Sequence, residues 1–297
     1  MQLGPPVFDR YVAPARLRPQ LWRLGLGLGL VLGTYILWMG LMVAIIALMR
    51  GADAVEQALG AIGVGDSPGS LVLLLLTFVG MALGAFAATR WLHHRPIASL
   101  FGPRAVVLRD FAIGLGIFMA LALPGIIWFF ATLDLTRGVA WSVWLTFLPL
   151  ALLGLLIQTG AEELVFRGYM QQQLAARFAS RWMWMVLPSV LFGLVHYAPA
   201  EMGNSAWPIV FVTGFFGLIM ADLTARSGSI GMAWGLHFAN NALAILLFTT
   251  GEALDGLALY RLPFSASDTE AILPMLGVDV IGMIIMWGLC RLALRGR

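Results

Sequence analysis

The side chains best suited to chemistry are a few polar residues that lie within long hydrophobic stretches of the chain. They are Glu162, Glu163, Arg167, His196, His237 and Asn241. The first two follow a stretch, 141–160, that contains no charged residue. Ionisable groups at membrane depth are costly, and they are usually retained only where they face a protein interior or a water-filled cavity. On this ground we interpret these residues as a candidate functional site. The alternative interpretation is a helix end whose charges reach the lipid headgroups.

Helical spacing assigns different surroundings to the two adjacent carboxylates. Glu163 and Arg167 are four residues apart, as are His237 and Asn241, so each pair lies on one face of its helix. Glu162 is turned by about 100° from Glu163 on the same helix. The spacing predicts that Glu163 forms an ion pair with Arg167 while Glu162 points elsewhere.

The depth of these groups below one membrane surface can be estimated from the helical rise of about 1.5 Å per residue. Counting inward from the nearest polar segments places Glu162, His196, His237 and Asn241 at about 12 to 21 Å. Residues on three different helices would thus reach a common layer. This agreement favours one shared site over unrelated buried polar residues.

The chemistry open to such a layer is limited. A carboxylate and imidazoles can hold and deprotonate a water molecule, and imidazole or amide N–H groups can stabilise an oxyanion. The set Glu162, His196 and His237 also matches a catalytic zinc site, which uses three protein ligands and one open position. Ser189 could share a helix face with His196, but a serine nucleophile is the less favoured hypothesis.

Three motifs in this order resemble the CAAX protease and bacteriocin-processing family of intramembrane proteases, the type II CAAX prenyl endopeptidase group. They are Glu162-Glu163-x-x-x-Arg167, Phe192-x-x-x-His196 and His237-x-x-x-Asn241. The resemblance covers about residues 141–250.

The resemblance implies a role for each matching residue. Glu162 would activate the attacking water with help from His196, while His237 and Asn241 would stabilise the oxyanion. Supporting roles fall to Glu163, Arg167 and Phe192. A metal-free mechanism is preferred, in which no cofactor is required, and zinc held by Glu162, His196 and His237 is the alternative.

The elements that must position this site are membrane helices. Hydrophobic residues make up 60% of the 297 residues and charged residues 11%, well below the roughly 25% that is usual in soluble domains. A span needs about 20 mostly apolar residues. The sequence predicts an all-α polytopic membrane bundle with a tail at 1–23 and one membrane domain at 24–297. The eight predicted spans are 24–49, 70–90, 110–132, 141–161, 182–198, 206–224, 229–250 and 274–293.

The distribution of arginine predicts the orientation of the bundle. Arginines are concentrated in the tail, the 90–109 segment, the connections around 177–181 and 226, and the C-terminal end including Arg297. The remaining connections are rich in acids, Glu252 among them. Because cytoplasmic loops are enriched in basic residues, we expect both termini to be cytoplasmic and the protein to lie in a bacterial cytoplasmic membrane.

Other residues are interpreted as structural. We expect Asp222 and Arg226 to form an interfacial pair, Asn240 to hydrogen-bond between helices, and His93 and His94 to face solvent or headgroups. Asp279 is expected to cap or face a neighbouring helix. Cys290 is the only cysteine, which excludes an intrachain disulfide.

Three functions remain open at this level. The first is an intramembrane endopeptidase that cleaves a membrane-associated peptide or protein, of which a prenylated CAAX-type substrate is one form. The second is a non-catalytic membrane protein for bacteriocin or peptide immunity or for regulation of a partner. A transporter is the third, although no inverted repeat is evident. The expected partners are the substrate and the lipid bilayer, and no basic stripe suggests nucleic acid.

Overall fold

The computed structural model describes residues 5–51, 53–251 and 253–295, and it is an all-α polytopic membrane bundle. Residues 1–4 of the predicted tail, Glu252 and Arg297 lie outside the described residues. The α-helices in the described part are α1 (Pro6–Val12), α2 (Leu21–Arg50), α3 (Ala54–Val64), α4 (Pro68–Ala87), α5 (Arg104–Thr132), α6 (Trp141–Glu163), α7 (Gln172–Arg177), α8 (Leu187–Leu194), α9 (Pro199–Met202), α10 (Ala206–Ser227), α11 (Gly231–Ala242) and α12 (Thr269–Ala293).

Six of the eight predicted spans coincide with helical segments long and apolar enough to cross a membrane. These segments are Leu21–Arg50, Pro68–Leu92, Ile97–Thr132, Trp141–Arg177, Pro199–Ser227 and Thr269–Ala293. The predicted spans 182–198 and 229–250 contain shorter helices. The first is Trp182–Leu194, and the second is α11 followed by a π-helical turn, Leu243–Leu247.

The fourth span continues well beyond its predicted end at residue 161. A π-helical segment, Leu164–Gln171, follows α6 directly and leads into α7, so the helical path runs to Arg177. The charged motif does not end a helix, because it lies within one. Single π-helical turns inside α-helices often occur at functional sites.

Three short strands join the connections at one end of the bundle. They are Thr136–Arg137, Phe248–Thr249 and Tyr260–Arg261, with the last in the middle. Tyr260–Arg261 pairs antiparallel with Thr136–Arg137 and parallel with Phe248–Thr249. These pairings tie the segment after α11 to the connection between α5 and α6.

At the opposite end, the arginine-rich connections contact one another. Phe8 packs on Trp184 with their ring centroids 4.9 Å apart, and Ile230 N–H donates to the Phe101 carbonyl at 3.0 Å. The Asp222–Arg226 pair also lies here, with a carboxylate–guanidinium distance of 2.8 Å that confirms the prediction. Segments predicted to share one membrane side therefore meet at one end of the molecule.

The expectation for His93 is wrong, whereas His94 is exposed as expected. His93 is only 2% exposed. Its Nδ1–H donates to the Arg18 carbonyl at 3.1 Å, and its Nε2 lies 2.8 Å from the hydroxyl of Tyr169. The arginine-rich tail and the 90–109 segment thus contact the end of the π-helical segment that follows the motif. Burial lowers the pKa of His93 to about 4.

Close packing of α5 on α11 positions the helix that carries His237. A Cβ atom added at Gly231 or Gly235 would lie 2.4 Å from the Val107 carbonyl oxygen or 2.1 Å from the Phe111 carbonyl oxygen. Glycines four residues apart allow this kind of backbone approach in membrane helices. The contact fixes the depth and rotation of α11.

We expect Gly235→Ala to destabilise the protein, because the added methyl group meets backbone rather than a flexible side chain. Its thermal midpoint in detergent should fall by several degrees. The matched control is Gly116→Ala on α5, where a Cβ meets nothing within 4 Å. That change should leave the midpoint unchanged or raise it, since alanine favours helices over glycine. Equal midpoints for both variants would contradict the packing described.

The buried His93 also predicts a pH dependence of stability. Its folded pKa of about 4 lies below the ordinary value of 6.5. Between these values the unfolded chain binds more protons, so stability is lost as pH falls from about 6.5 toward 4. Thermal midpoints of the wild type and His93→Gln, measured at near-neutral and mildly acidic pH, should show a smaller acid loss in the variant. His94→Gln at the exposed neighbour should keep the wild-type response, and a full response in His93→Gln would refute the assignment.

Candidate active site

Glu162 is held by an amide that the sequence analysis missed. Gln158 Nε2 donates to Glu162 Oε1 at 2.8 Å, and Gln158 Oε1 accepts from Asn241 Nδ2 at 2.9 Å. Gln158 therefore links the first motif to the third. The sequence feature that could have indicated Gln158 is its position, because it is a polar residue one helical turn before Glu162 in a stretch without charged residues.

Glu163 and Arg167 form the predicted ion pair. The guanidinium Nη1 lies 2.8 Å from Glu163 Oε1, and the two side chains are 0% and 3% exposed. Arg167 Nη2 also donates to the Gly217 carbonyl on α10 at 3.3 Å. The guanidinium carbon lies 4.5 Å from the centroid of the Phe192 ring. One arginine thus joins the first motif to two further helices.

His237 lies between the two carboxylates. Its Nδ1–H donates to Glu163 Oε1 at 2.9 Å, and its Nε2 is 3.5 Å from Glu162 Oε2. The second distance is too long for a direct hydrogen bond. Glu162 Oε2 is buried and has no hydrogen-bond partner in the described structure. The position beside this oxygen is where a polar group of a water or substrate would be bound.

His196 lies in the turn after α8, because that helix ends at Leu194 instead of continuing to 198. Its Nδ1–H donates to the Phe192 carbonyl at 2.7 Å, which caps the end of the helix. In a neutral ring this leaves Nε2 as a hydrogen-bond acceptor. The hydroxyl of Ser189 donates to the Met185 carbonyl at 2.7 Å, so the structure provides no Ser–His pair at this position.

The Phe192 ring orders both histidines. Its centroid is 4.9 Å from the His196 ring and 5.8 Å from the His237 ring. Phe192 is 1% exposed, and Phe166 packs against its edge at 5.1 Å. The predicted supporting residue is therefore the common contact of the second and third motifs.

A cleft of about 250 Å³ opens beside this cluster. Its walls come from α8 and the turn after it, from α10, from α11 and from α12. The lining residues are Phe192, His196, Ile209, Val212, Thr213, Phe216, His237, Asn240, Asn241, Leu276, Asp279 and Met283. The four residues of the predicted layer therefore lie near one another. His196, His237 and Asn241 line the cleft, and Glu162 lies beside His237.

Two expectations for polar neighbours of the site can be compared with this arrangement. Asn240 Nδ2 donates to Asn241 Oδ1 on the same helix at 3.1 Å, so the predicted bond between helices is wrong. Asp279 lies within α12 and borders the cleft, so it does not cap this helix, and its contact with a neighbouring helix stays a prediction.

The alternative zinc set of Glu162, His196 and His237 stays a prediction. Among the residues that the structure describes, no group of three His, Cys, Asp or Glu side chains is arranged to hold a metal ion. The Nδ1–H groups of His196 and His237 donate to the Phe192 carbonyl and to Glu163, which leaves each Nε2 free, an orientation that zinc-ligating histidines also have. Glu162 and His237 approach each other, but His196 does not complete a three-ligand set with them.

The fold and site define a polytopic membrane protein with a buried Glu–His–Asn cluster beside a membrane cleft. Comparison with protein families matches residues 141–243 to the Rce1-like family, described as type II CAAX prenyl endopeptidase Rce1-like. The resemblance carried by the three motifs is therefore confirmed over this segment, which is similar to the Rce1-like family. The matched range contains every predicted site residue.

Part of the chain is also similar to a bacterial protein. The chain is 35% identical over 116 residues to the protein named Uncharacterized protein YyaK of Bacillus subtilis (strain 168). The aligned part covers 38% of this chain and 38% of that protein. No solved structure matches the chain.

We expect Arg167→Met to destabilise the fold strongly, because it leaves Glu163 as a buried carboxylate without its cation. Removing one partner of a buried pair costs about 3–5 kcal/mol. The double variant Glu163→Gln/Arg167→Met should recover part of this loss, as seen in thermal midpoints in detergent. An Arg167→Met midpoint equal to that of the wild type would contradict the role of the pair. Arg291→Met at the partly buried end of α12 is the control.

Proposed function

We propose that this protein is an intramembrane endopeptidase that cleaves a peptide bond in a membrane-associated substrate. The observation that carries the proposal is the buried, unpartnered Oε2 of Glu162, which faces His237 next to a cleft. The endopeptidase family matched by residues 141–243 supports the same activity. Substrates with a prenylated CAAX-type end are one class that the family description suggests.

In the proposed mechanism, Glu162 acts as the general base. Its Oε2 accepts a proton from water, with the Nε2 acceptor of His196 helping to hold that water beside the cleft. The resulting hydroxide attacks the carbonyl carbon of the scissile bond. Gln158 keeps the other Glu162 oxygen fixed at 2.8 Å, so that only one oxygen is directed at the water.

His237 and Asn241 stabilise the oxyanion formed by this attack. With Nδ1–H committed to Glu163, a protonated His237 can donate its Nε2–H to the oxyanion. Asn241 provides an amide on the same face of α11. When the C–N bond breaks, the proton taken up by Glu162 passes to the leaving amine.

We further propose that the site opens toward the cytoplasmic half of a bacterial cytoplasmic membrane, with both termini in the cytoplasm. The support is the clustering of the arginine-rich connections at one end of the bundle, because cytoplasmic loops carry an excess of basic residues. Reporter fusions at the two termini would test this orientation.

Glu162→Gln should abolish cleavage by purified protein reconstituted in liposomes, since the amide cannot accept the proton. We expect a loss of at least about 100-fold in rate with little change in thermal midpoint. The readout is mass spectrometry of membrane-anchored peptides. Glu201→Gln, an exposed acid on α9, is the matched control.

The outcome of that assay separates the proposal from its rivals. Cleavage that persists in folded Glu162→Gln would remove the assigned base. If neither protein cleaves any peptide, and cells carrying Glu162→Gln keep the wild-type phenotype, a non-catalytic role in peptide immunity or partner regulation would be favoured.

We propose a metal-free mechanism, supported by the absence of a three-ligand arrangement among the described residues. Treatment of the active protein with a zinc chelator should leave the cleavage rate unchanged. Loss of activity on chelation, followed by recovery when zinc is added back, would contradict this proposal.

A further inference from the structure

Asp279 is the acidic residue of the cleft that the proposed mechanism does not use. It lies within α12, with Leu276 and Met283, at positions that share one face of the helix. This face forms one wall of the cleft that His196, His237 and Asn241 also line. Asp279 makes no hydrogen bond or ion pair with the residues that the structure describes, although its side chain borders the cleft.

The acidic side chains at the site and the cleft outnumber the basic ones. Glu163 is neutralised by Arg167, but Glu162 accepts a hydrogen bond only from the Gln158 amide, and its other oxygen lies 3.5 Å from His237 Nε2. Asp279 adds a further carboxylate, and the lining of the cleft contains no arginine or lysine. A carboxylate at membrane depth is costly unless it faces water or a cation. Asp279 is exposed, so its carboxylate is free to pair with a cationic group that enters the cleft.

We infer that Asp279 determines substrate specificity, by pairing with a basic side chain of the peptide close to the scissile bond. This inference rests on the proposed endopeptidase function. A charge-assisted hydrogen bond between carboxylate and ammonium or guanidinium is roughly twice as strong as a neutral one. The apolar walls from α10, including Ile209 and Val212, would contact the uncharged part of the same segment. The substrate class is thus a cationic membrane-associated peptide.

The arrangement also disfavours acidic segments. A peptide with Asp or Glu at the same position would bring a further carboxylate beside Asp279 and Glu162. Like charges that are brought close together in a complex repel each other. Asp279 would thus both attract basic substrates and exclude acidic ones.

Binding and cleavage of charge-matched peptides test the inference. The probes are short palmitoylated peptides of one sequence, carrying lysine, norleucine or glutamate at successive positions, presented in phosphatidylcholine nanodiscs. In wild-type protein, kcat/KM for the best lysine peptide should exceed that for norleucine by at least about tenfold. Asp279→Asn should abolish this preference, so that the lysine and norleucine peptides have about equal values of kcat/KM.

Two further variants exclude a purely structural explanation. Asp279→Glu should restore the lysine preference, and Asp279→Lys should shift it toward the glutamate peptide. Glu270→Gln removes the same charge from an exposed position in the first turn of α12 and should change nothing. A lysine preference that survives in Asp279→Asn, or is missing in the wild type, would overturn the inference.

Binding to non-cleaving protein separates this inference from the proposed function. Fluorescence titration of the same peptides is done with Glu162→Gln and with Glu162→Gln/Asp279→Asn. Charge selectivity that disappears with Asp279 would support the inference even if no peptide is cleaved by the wild type. Equal binding of lysine and norleucine peptides to both proteins would overturn it even if cleavage occurs.

Discussion

The structure depends on the burial of two adjacent carboxylates in a bundle that is otherwise almost entirely apolar. Glu163 is 0% and Glu162 is 8% exposed. Such burial is tolerable only if each charge is compensated by precise partners, because an uncompensated ion in this environment is strongly destabilising. Arg167 and His237 compensate Glu163, whereas Glu162 keeps one oxygen without a partner. The two adjacent carboxylates therefore differ, since Glu163 has charged partners and Glu162 has an oxygen that is open to a bound group.

The rest of the bundle makes this compensation geometrically possible. The π-helical segment after Glu163 keeps the charged motif within a continuous helical path, and its far end is tied down by the hydrogen bond between His93 and Tyr169. Glycine contacts bring α11 close to α5 and set the position of His237. The helix α12 packs more loosely and completes the cleft. The cleft is thus bounded by the helices that carry the motifs and by α12.

Much of this arrangement could be predicted from local sequence patterns. Long apolar stretches indicated the membrane helices, and the spacing of Glu163 and Arg167 predicted their ion pair. The burial of His93 could not be predicted, because it depends on tertiary contacts with Arg18 and Tyr169 that have no local signature. Gln158 was missed for a related reason, since its importance comes from bridging Glu162 to a residue 83 positions away in sequence. The roles of the site residues remain predictions.

The account makes Glu162 the residue that performs the chemistry. The most direct measurement compares the termini of membrane proteins in cells that express the wild type or Glu162→Gln at equal levels. We predict shortened membrane-associated products that occur only with the wild type, together with accumulation of their intact precursors in the variant. Identical sets of termini in the two strains, or the same shortened products in both, would contradict the account.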